Sequence, residues 1–174
     1  IINFTALSSP VSNEGLVAYY AFDGNTQDMS GWGRNATVSG ATLTTDRHGE
    51  TNAAYSFDGV DDYIRKTNIS SINFNNGDEM SVSFWIKPSK LGGQYQDIIA
   101  NRNGGQDYNW IVYQHADGGE ISLHGVQQYK SSFIPQLNSW THIIFTVNSA
   151  RTSRLYVNGV IVDSILNYNY GNSF

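Results

Sequence analysis

The stretch RLYVNGVIVD, residues 154–163, sets Asn158-Gly159 between two short runs of branched and aromatic residues. Asn-Gly supplies the two positive-φ positions of a type I′ turn, so the segment predicts a two-residue β-hairpin. Closure at that turn pairs Val157 with Val160, Leu155 with Val162 and Arg154 with Asp163. Leu155, Val157, Val160 and Val162 then share an apolar face turned to a core. Arg154, Tyr156, Ile161 and Asp163 share the wetter face, with opposite charges paired at the open end.

Working outward, the same period of two recurs. In MSVSFWIK, residues 80–87, Met80, Val82, Phe84 and Ile86 fall on one face, with Ser81, Ser83, Trp85 and Lys87 on the other. In WTHIIFTVN, residues 140–148, Ile143, Phe145 and Val147 point inward, while Trp140, His142, Ile144 and Thr146 point out. Trp85 and Trp140 are therefore covered by loops or left to a ligand, and loops are favoured because large aromatics are usually well buried. Similar runs occur at 16–22 (LVAYYAF), 41–43, 53–57, 62–66, 97–102, 109–114 and 120–124, each bounded by turn-forming residues. No stretch holds helical spacing. About ten short strands at this spacing predict an all-β chain, an antiparallel two-sheet sandwich or jelly roll.

At 174 residues the chain is long enough for one domain with its own core. Residues 1–14, IINFTALSSPVSNE, lack sustained periodicity and are expected to be a linker, with the folded unit spanning 15–174. Apolar content of 40% against 14% charged describes a chain that folds. Asp and Glu (15) exceed Lys and Arg (10) and no basic stripe occurs, so nothing neutralises phosphates and nucleic acid is not an expected partner. No apolar run approaches the ~18 residues of a membrane span. The absence of cysteine excludes disulfides and thiolate metal sites but leaves the compartment open. Sequons at Asn3, Asn35 and Asn68 carry little weight in a chain so rich in Asn, Ser and Thr.

The loop FDGNTQDMSGWGRNATV, residues 22–38, is the densest collection of chemistry. Counted from Asp23, an EF-hand requires glycine at the sixth position and glutamate at the twelfth; Asp28 and Arg34 stand there, so that motif fails. Asp23, Asn25 and Asp28 are nonetheless hard oxygen donors in a glycine-loosened loop, the donor type calcium takes. The competing reading is a set of turn formers bonded to their own backbone. Residues 31–36 (GWGRNA) match a dinucleotide fingerprint, but a strand follows where a helix is required. Asp58, Asp61 and Asp62 could pair as carboxylates for sugar hydrolysis, although Asp58-Gly59 sits where a turn is needed. His48, His115, His124 and His142 lie far apart, and no nucleophile elbow or HExxH motif accompanies them. No catalytic motif is found.

The segments at 15–64 (beginning GLVAYYAFDGN and ending SFDGVDDYI), 80–90 (MSVSFWIKPSK), 138–148 (NSWTHIIFTVN) and 154–162 (RLYVNGVIV) resemble, in order, a laminin G-like jelly roll of the concanavalin A-like lectin/glucanase superfamily. The resemblance covers roughly residues 15–164. It implies a module of a secreted or cell-surface protein that binds glycans or other proteins, with structural calcium at the FDGN loop. Asp23 is then the leading metal ligand and Asn25 and Asp28 follow. The family continues past the NG hairpin to further strands, whereas this sequence ends at NYNYGNSF; a fragment, a cleaved product, or a strand supplied by another protein or a second copy of the chain all remain open. The E-x-D-x-x-E strand of laminarinase-like enzymes is missing. Trp32 departs from the small or polar residue usual between those glycines, and an indole on a glycine-rich rim can stack on a sugar face. Tyr95, Tyr108, Trp110, Tyr113 and Tyr129 are further aromatic candidates, each competing with half-buried sheet packing. The expectation is a non-catalytic, calcium-stabilised, extracellular or cell-surface module binding a glycan or polysaccharide. A protein-protein adhesion module is the first alternative and a polysaccharide-degrading enzyme the second.

Overall fold

The computed structural model describes residues 14–67, 74, 78–102, 108–125 and 128–168, among which there are twelve β-strands and no helix. None of the described residues therefore forms a helix long and apolar enough to cross a membrane. Contacts divide the chain into two compact units, Ile1–Ile69 and Ser70–Phe174. Residues 1–13 of the expected linker lie outside the described residues, as do Asn3 and Asn68.

In the first unit, β1 (Thr37–Ser39) pairs antiparallel with β4 (Tyr63–Arg65), and β2 (Thr42–Thr44) with β3 (Ala54–Ser56). Gly40 turns the chain from β1 to β2 at φ +76°, where a Cβ would lie 1.8 Å from Asp62 Oδ1. Glycine meets the positive φ without strain, and any larger residue would have to displace the Asp62 side chain. The strand expected at 16–22 is reduced to a single bridge, Tyr20 to Asp28. Two local facts explain this: the Tyr19 N–H donates to the Asp28 side chain instead of a neighbouring strand, and Phe22 sits at φ +60°, which ends an extended run.

The second unit is a two-layer antiparallel sandwich. One sheet has the order β12-β11-β10-β5, from Val160–Ile165, Ser153–Val157, Thr141–Val147 and Met80–Ile86. The other has the order β6-β7-β8-β9, from Gln96–Arg102, Tyr108–Gln114, Ile121–His124 and Gln128–Lys130. Ile143, Phe145 and Leu155 from the first layer, and Val112, Ile121 and Leu123 from the second, are all 0% exposed in one cluster. Phe145 meets Tyr129 edge-on across it, ring centroids 5.9 Å apart. Tyr168, also fully buried, packs 6.2 Å from Tyr129 and is fixed by its N–H donating to the Arg151 carbonyl at 2.8 Å.

The alternation read in 80–86 and 141–147 holds, with Met80, Ile143, Phe145 and Val147 buried and Trp85 left 41% exposed. The hairpin forms at Asn158-Gly159, but its register is corrected. Val157 pairs with Val160 and Tyr156 with Ile161; a β-bulge then intervenes, and Leu155 pairs with Asp163 and Arg154 with Ser164. Val162 is the extra residue. The shift goes with Asp163, whose carboxylate accepts the N–H groups of Ser132 (3.1 Å) and Ser164 (2.8 Å). The expected apolar face is likewise only half buried. Leu155 and Val157 are in the core, whereas Val160 and Val162, on the terminal strand of the sheet, are 65% and 42% exposed.

Candidate functional site

The loop after residue 22 is organised around Asp28. Its Oδ1 accepts the N–H groups of Tyr19 (3.0 Å) and Ser30 (2.9 Å), and its Oδ2 accepts the Arg34 N–H (2.9 Å). The Asp28 N–H in turn donates to Asn35 Oδ1 at 3.0 Å. Burial raises the Asp28 carboxyl pKa, but these bonds from Ser30, Tyr19 and Arg34 outweigh it and hold the group at about 2, below its ordinary 3.8. The loop is further tied by Tyr20 Oη donating to the Arg34 carbonyl (2.7 Å) and Thr26 Oγ1 to the Ala36 carbonyl (2.7 Å).

Trp32 stands on this scaffold, 65% exposed. Its Nε1–H donates to the Leu16 carbonyl at 2.9 Å, and the Arg34 guanidinium carbon lies 5.2 Å from the ring centroid. Arg34 Nη1 also donates to the Val17 carbonyl. Tyr19 and Met29, joined through the Met29 N–H and the Tyr19 carbonyl at 2.7 Å, are both exposed. A shallow hollow of about 250 Å³ lies in the same loop, lined by Ala21, Phe22, Asp23, Asn25, Gln27 and Met29.

The three residues expected to hold calcium do not fit it as arranged. Asp28 has both oxygens engaged by N–H donors. Asn25 closes on its own loop, its Oδ1 accepting the Gln27 N–H (2.8 Å) and its Nδ2 donating to the Asp23 carbonyl (2.9 Å). Of the three side chains that leaves one exposed carboxylate, Asp23, so backbone carbonyls of the loop would have to supply most of the roughly six to eight oxygens that calcium takes.

The remaining aromatic candidates scatter. Tyr95 is 60% exposed on the second unit, its ring meeting Tyr113 at 5.6 Å and His115 at 5.0 Å, both edge-on. Tyr108 opens β7, but its side chain lies outside the described residues. Trp110 and Tyr129 are corrections: at 5% and 3% exposure they belong to the core and leave the ligand-binding set. The register shows why for Tyr129, since Val112, Leu123 and Tyr129 lie side by side across β7, β8 and β9 on the same face. Sequence patterning did not single out Arg34, Leu16 or Val17. An arginine two residues from an exposed tryptophan was the only signal available.

Asp58, Asp61 and Asp62 do come together, with ligand atoms all within 4.8 Å. They form a turn: Asp62 Oδ2 accepts the Asp58 N–H and Asp58 Oδ1 the Val60 N–H, both at 2.8 Å. The Val60 N–H is the main reason the Asp58 carboxyl lies below its ordinary range, the opposite of what a general acid for sugar hydrolysis requires. His142 lies flat against Trp85 (4.9 Å, 13°) with Nε2 2.8 Å from Ser83 Oγ, and burial lowers the pKa of His124.

The profile of the concanavalin A-like lectin/glucanases superfamily matches residues 58–172. The chain is 25% identical to botulinum neurotoxin type F of Clostridium botulinum, over 94% of its own length and 14% of the toxin's. It is 29% identical to Paraclostridial mosquitocidal protein 1 of Paraclostridium bifermentans, over 79% of its length and 12% of that protein's. It thus spans a small part of either relative. Among solved structures, domain 4 of AbnA, an extracellular arabinanase from Geobacillus stearothermophilus in complex with arabinotriose, superposes with a TM-score of 0.66 at 19% identity, covering 89% of this chain and 77% of that one. The binding domain of botulinum neurotoxin DC in complex with rat synaptotagmin II gives 0.60 at 17% identity, covering 91% and 42%. At such identities the likeness is one of fold.

Proposed function

This chain belongs to the concanavalin A-like lectin/glucanases superfamily, and on that footing we propose that it is a non-catalytic carbohydrate-binding module of a secreted or cell-surface protein. The observation that carries this reading is Trp32, a large indole left 65% exposed yet held at its nitrogen by Leu16 and against its ring by Arg34. An aromatic ring fixed before binding loses little conformational freedom when a sugar's C–H face settles on it. Asp23, Asn25 and Gln27, lining the hollow of the same loop, are of the polar type that hydrogen-bonds sugar hydroxyls. The arabinotriose in the complex of the arabinanase domain supports the ligand class, and that enzyme's extracellular setting supports the compartment.

The test is an immobilised panel of neutral and acidic oligosaccharides, arabinotriose included, probed with the wild-type chain and with Trp32→Ala. Binding by the wild type that weakens at least ~10-fold in the variant, about 1.4 kcal/mol, is the expected result. Equal binding by the two proteins removes Trp32 from the site, and silence across the panel removes the glycan reading.

A protein partner is the second reading, favoured by the exposure of Tyr19 (51%) and Met29 (60%) in the same loop as Trp32. Such a mixture of aromatic, Met and Arg is enriched at protein interfaces. Capture of a surface protein by the wild type but not by a Tyr19→Ser, Met29→Ser variant, with the panel silent, selects it.

A further inference from the structure

The geometry points to Asp28 as the positioning residue of the rim: an internal anion that presents Trp32 in the absence of any metal ion. A bound cation gathers a loop by drawing oxygen lone pairs to a positive centre. Here the centre is negative. Three backbone N–H groups, from Tyr19, Ser30 and Arg34, converge on one carboxylate within 3.0 Å. A calcium ion entering that point would face the positive ends of those N–H groups, and each bond it displaced would leave a donor without an acceptor. Asp28 as a residue is 9% exposed, so water does not readily replace them.

The connection to Trp32 is direct. Trp32 lies between Ser30 and Arg34, both tied to the carboxylate, and its own N–H points to Ser30 Oγ at 3.4 Å. Arg34, anchored through its backbone to Asp28, lays its guanidinium against the indole. Tyr19, the third residue held, follows the segment whose Leu16 and Val17 carbonyls receive Trp32 Nε1 and Arg34 Nη1. Both supports of the indole therefore trace back to one carboxylate. None of this depends on whether a glycan occupies the rim, so this inference and the glycan reading can fail separately.

The experiment has two arms. In the first, the melting temperature of the wild-type chain is measured in calcium chloride and in EDTA, alongside calorimetric titration with calcium. No change in melting and no binding heat that depends on Asp23 is expected. Stabilisation by calcium that disappears in Asp23→Ala overturns the inference. In the second, the four tryptophan indole N–H signals are followed by NMR, with Trp32→Phe assigning the one of interest. In Asp28→Asn the Trp32 signal is expected to shift and to exchange with solvent at least ~10-fold faster, the signals of Trp85, Trp110 and Trp140 being unchanged and calcium giving no recovery. An unchanged Trp32 signal, or its restoration by calcium, sinks the assignment. Should Asp28→Asn fail to fold, Asp28→Glu, which keeps the charge but displaces it by one methylene, is followed in its place, and an unchanged Trp32 signal again sinks the assignment.

Discussion

Arg34 touches Trp32 and Asp28 by different parts of itself: its guanidinium lies against the indole at 5.2 Å, and its backbone N–H is bound by the carboxylate at 2.9 Å. A side-chain substitution at 34 therefore removes the ring contact and the bond to Val17 while leaving the backbone bond to Asp28 in place. A cation over an exposed ring contributes about 0.5–1 kcal/mol, and a hydrogen bond about 1 kcal/mol. Arg34→Ala is expected to destabilise the chain by about 1–2 kcal/mol in urea denaturation. Arg34→Lys, which keeps a charge but not the planar fork, should fall between. No change in either variant would remove Arg34 as a support of the rim.

Acid should act through Asp28 in a defined direction. Its folded pKa is depressed from 3.8 to about 2, so the unfolded chain takes up the proton first. The stability it contributes is complete above pH 3.8 and is lost as the pH falls through that value towards 2. A thermal melt series across this window should show a steep decline in the wild type and a shallower one in Asp28→Asn. Parallel slopes would assign the acid sensitivity to other carboxylates.

Phe145 has no exposed surface and packs edge-on against Tyr129, so Phe145→Ala should cost about 3–5 kcal/mol. Val160, 65% exposed on β12, provides the contrast: Val160→Thr should change stability by less than about 0.5 kcal/mol. Similar losses at both positions would contradict the placement of the core between the two sheets.

Gly40 combines two constraints, φ +76° and the Asp62 oxygen 1.8 Å from any added Cβ. Gly40→Ala should lower stability by about 1–3 kcal/mol. Adding Asp62→Ala to that variant relieves the clash and leaves the backbone strain, so the pair should be less than additive. Strict additivity in chemical denaturation would show that the clash does not form.

The strands read most easily were those with one clear inner face. Residues 80–86 and 141–147 alternate, and the alternation assigns their sides. β7 gives no such signal, because Trp110, Ile111, Val112, Tyr113 and Gln114 are all buried. A strand covered on both faces carries no polar side to set its phase, so the sequence leaves Trp110 open between ligand contact and sheet packing. β1 and β9, three residues each and largely polar, are too short for a period to show. At the rim, the glycines and acids were legible as a loop of consequence. The role of Asp28 was not, because an aspartate that gathers N–H groups and one that awaits a cation are written with the same letter, and only the direction of the surrounding amides separates them.

The misaligned residue in the terminal hairpin has a consequence for how these molecules behave in a crowd. Val160, Ile161 and Val162 would make β12 an inviting template for a neighbouring copy. Val162 is displaced from the ladder, and a bulge of this kind sets a strand against pairing with a straight newcomer along its full length, with no charged residue among those three positions.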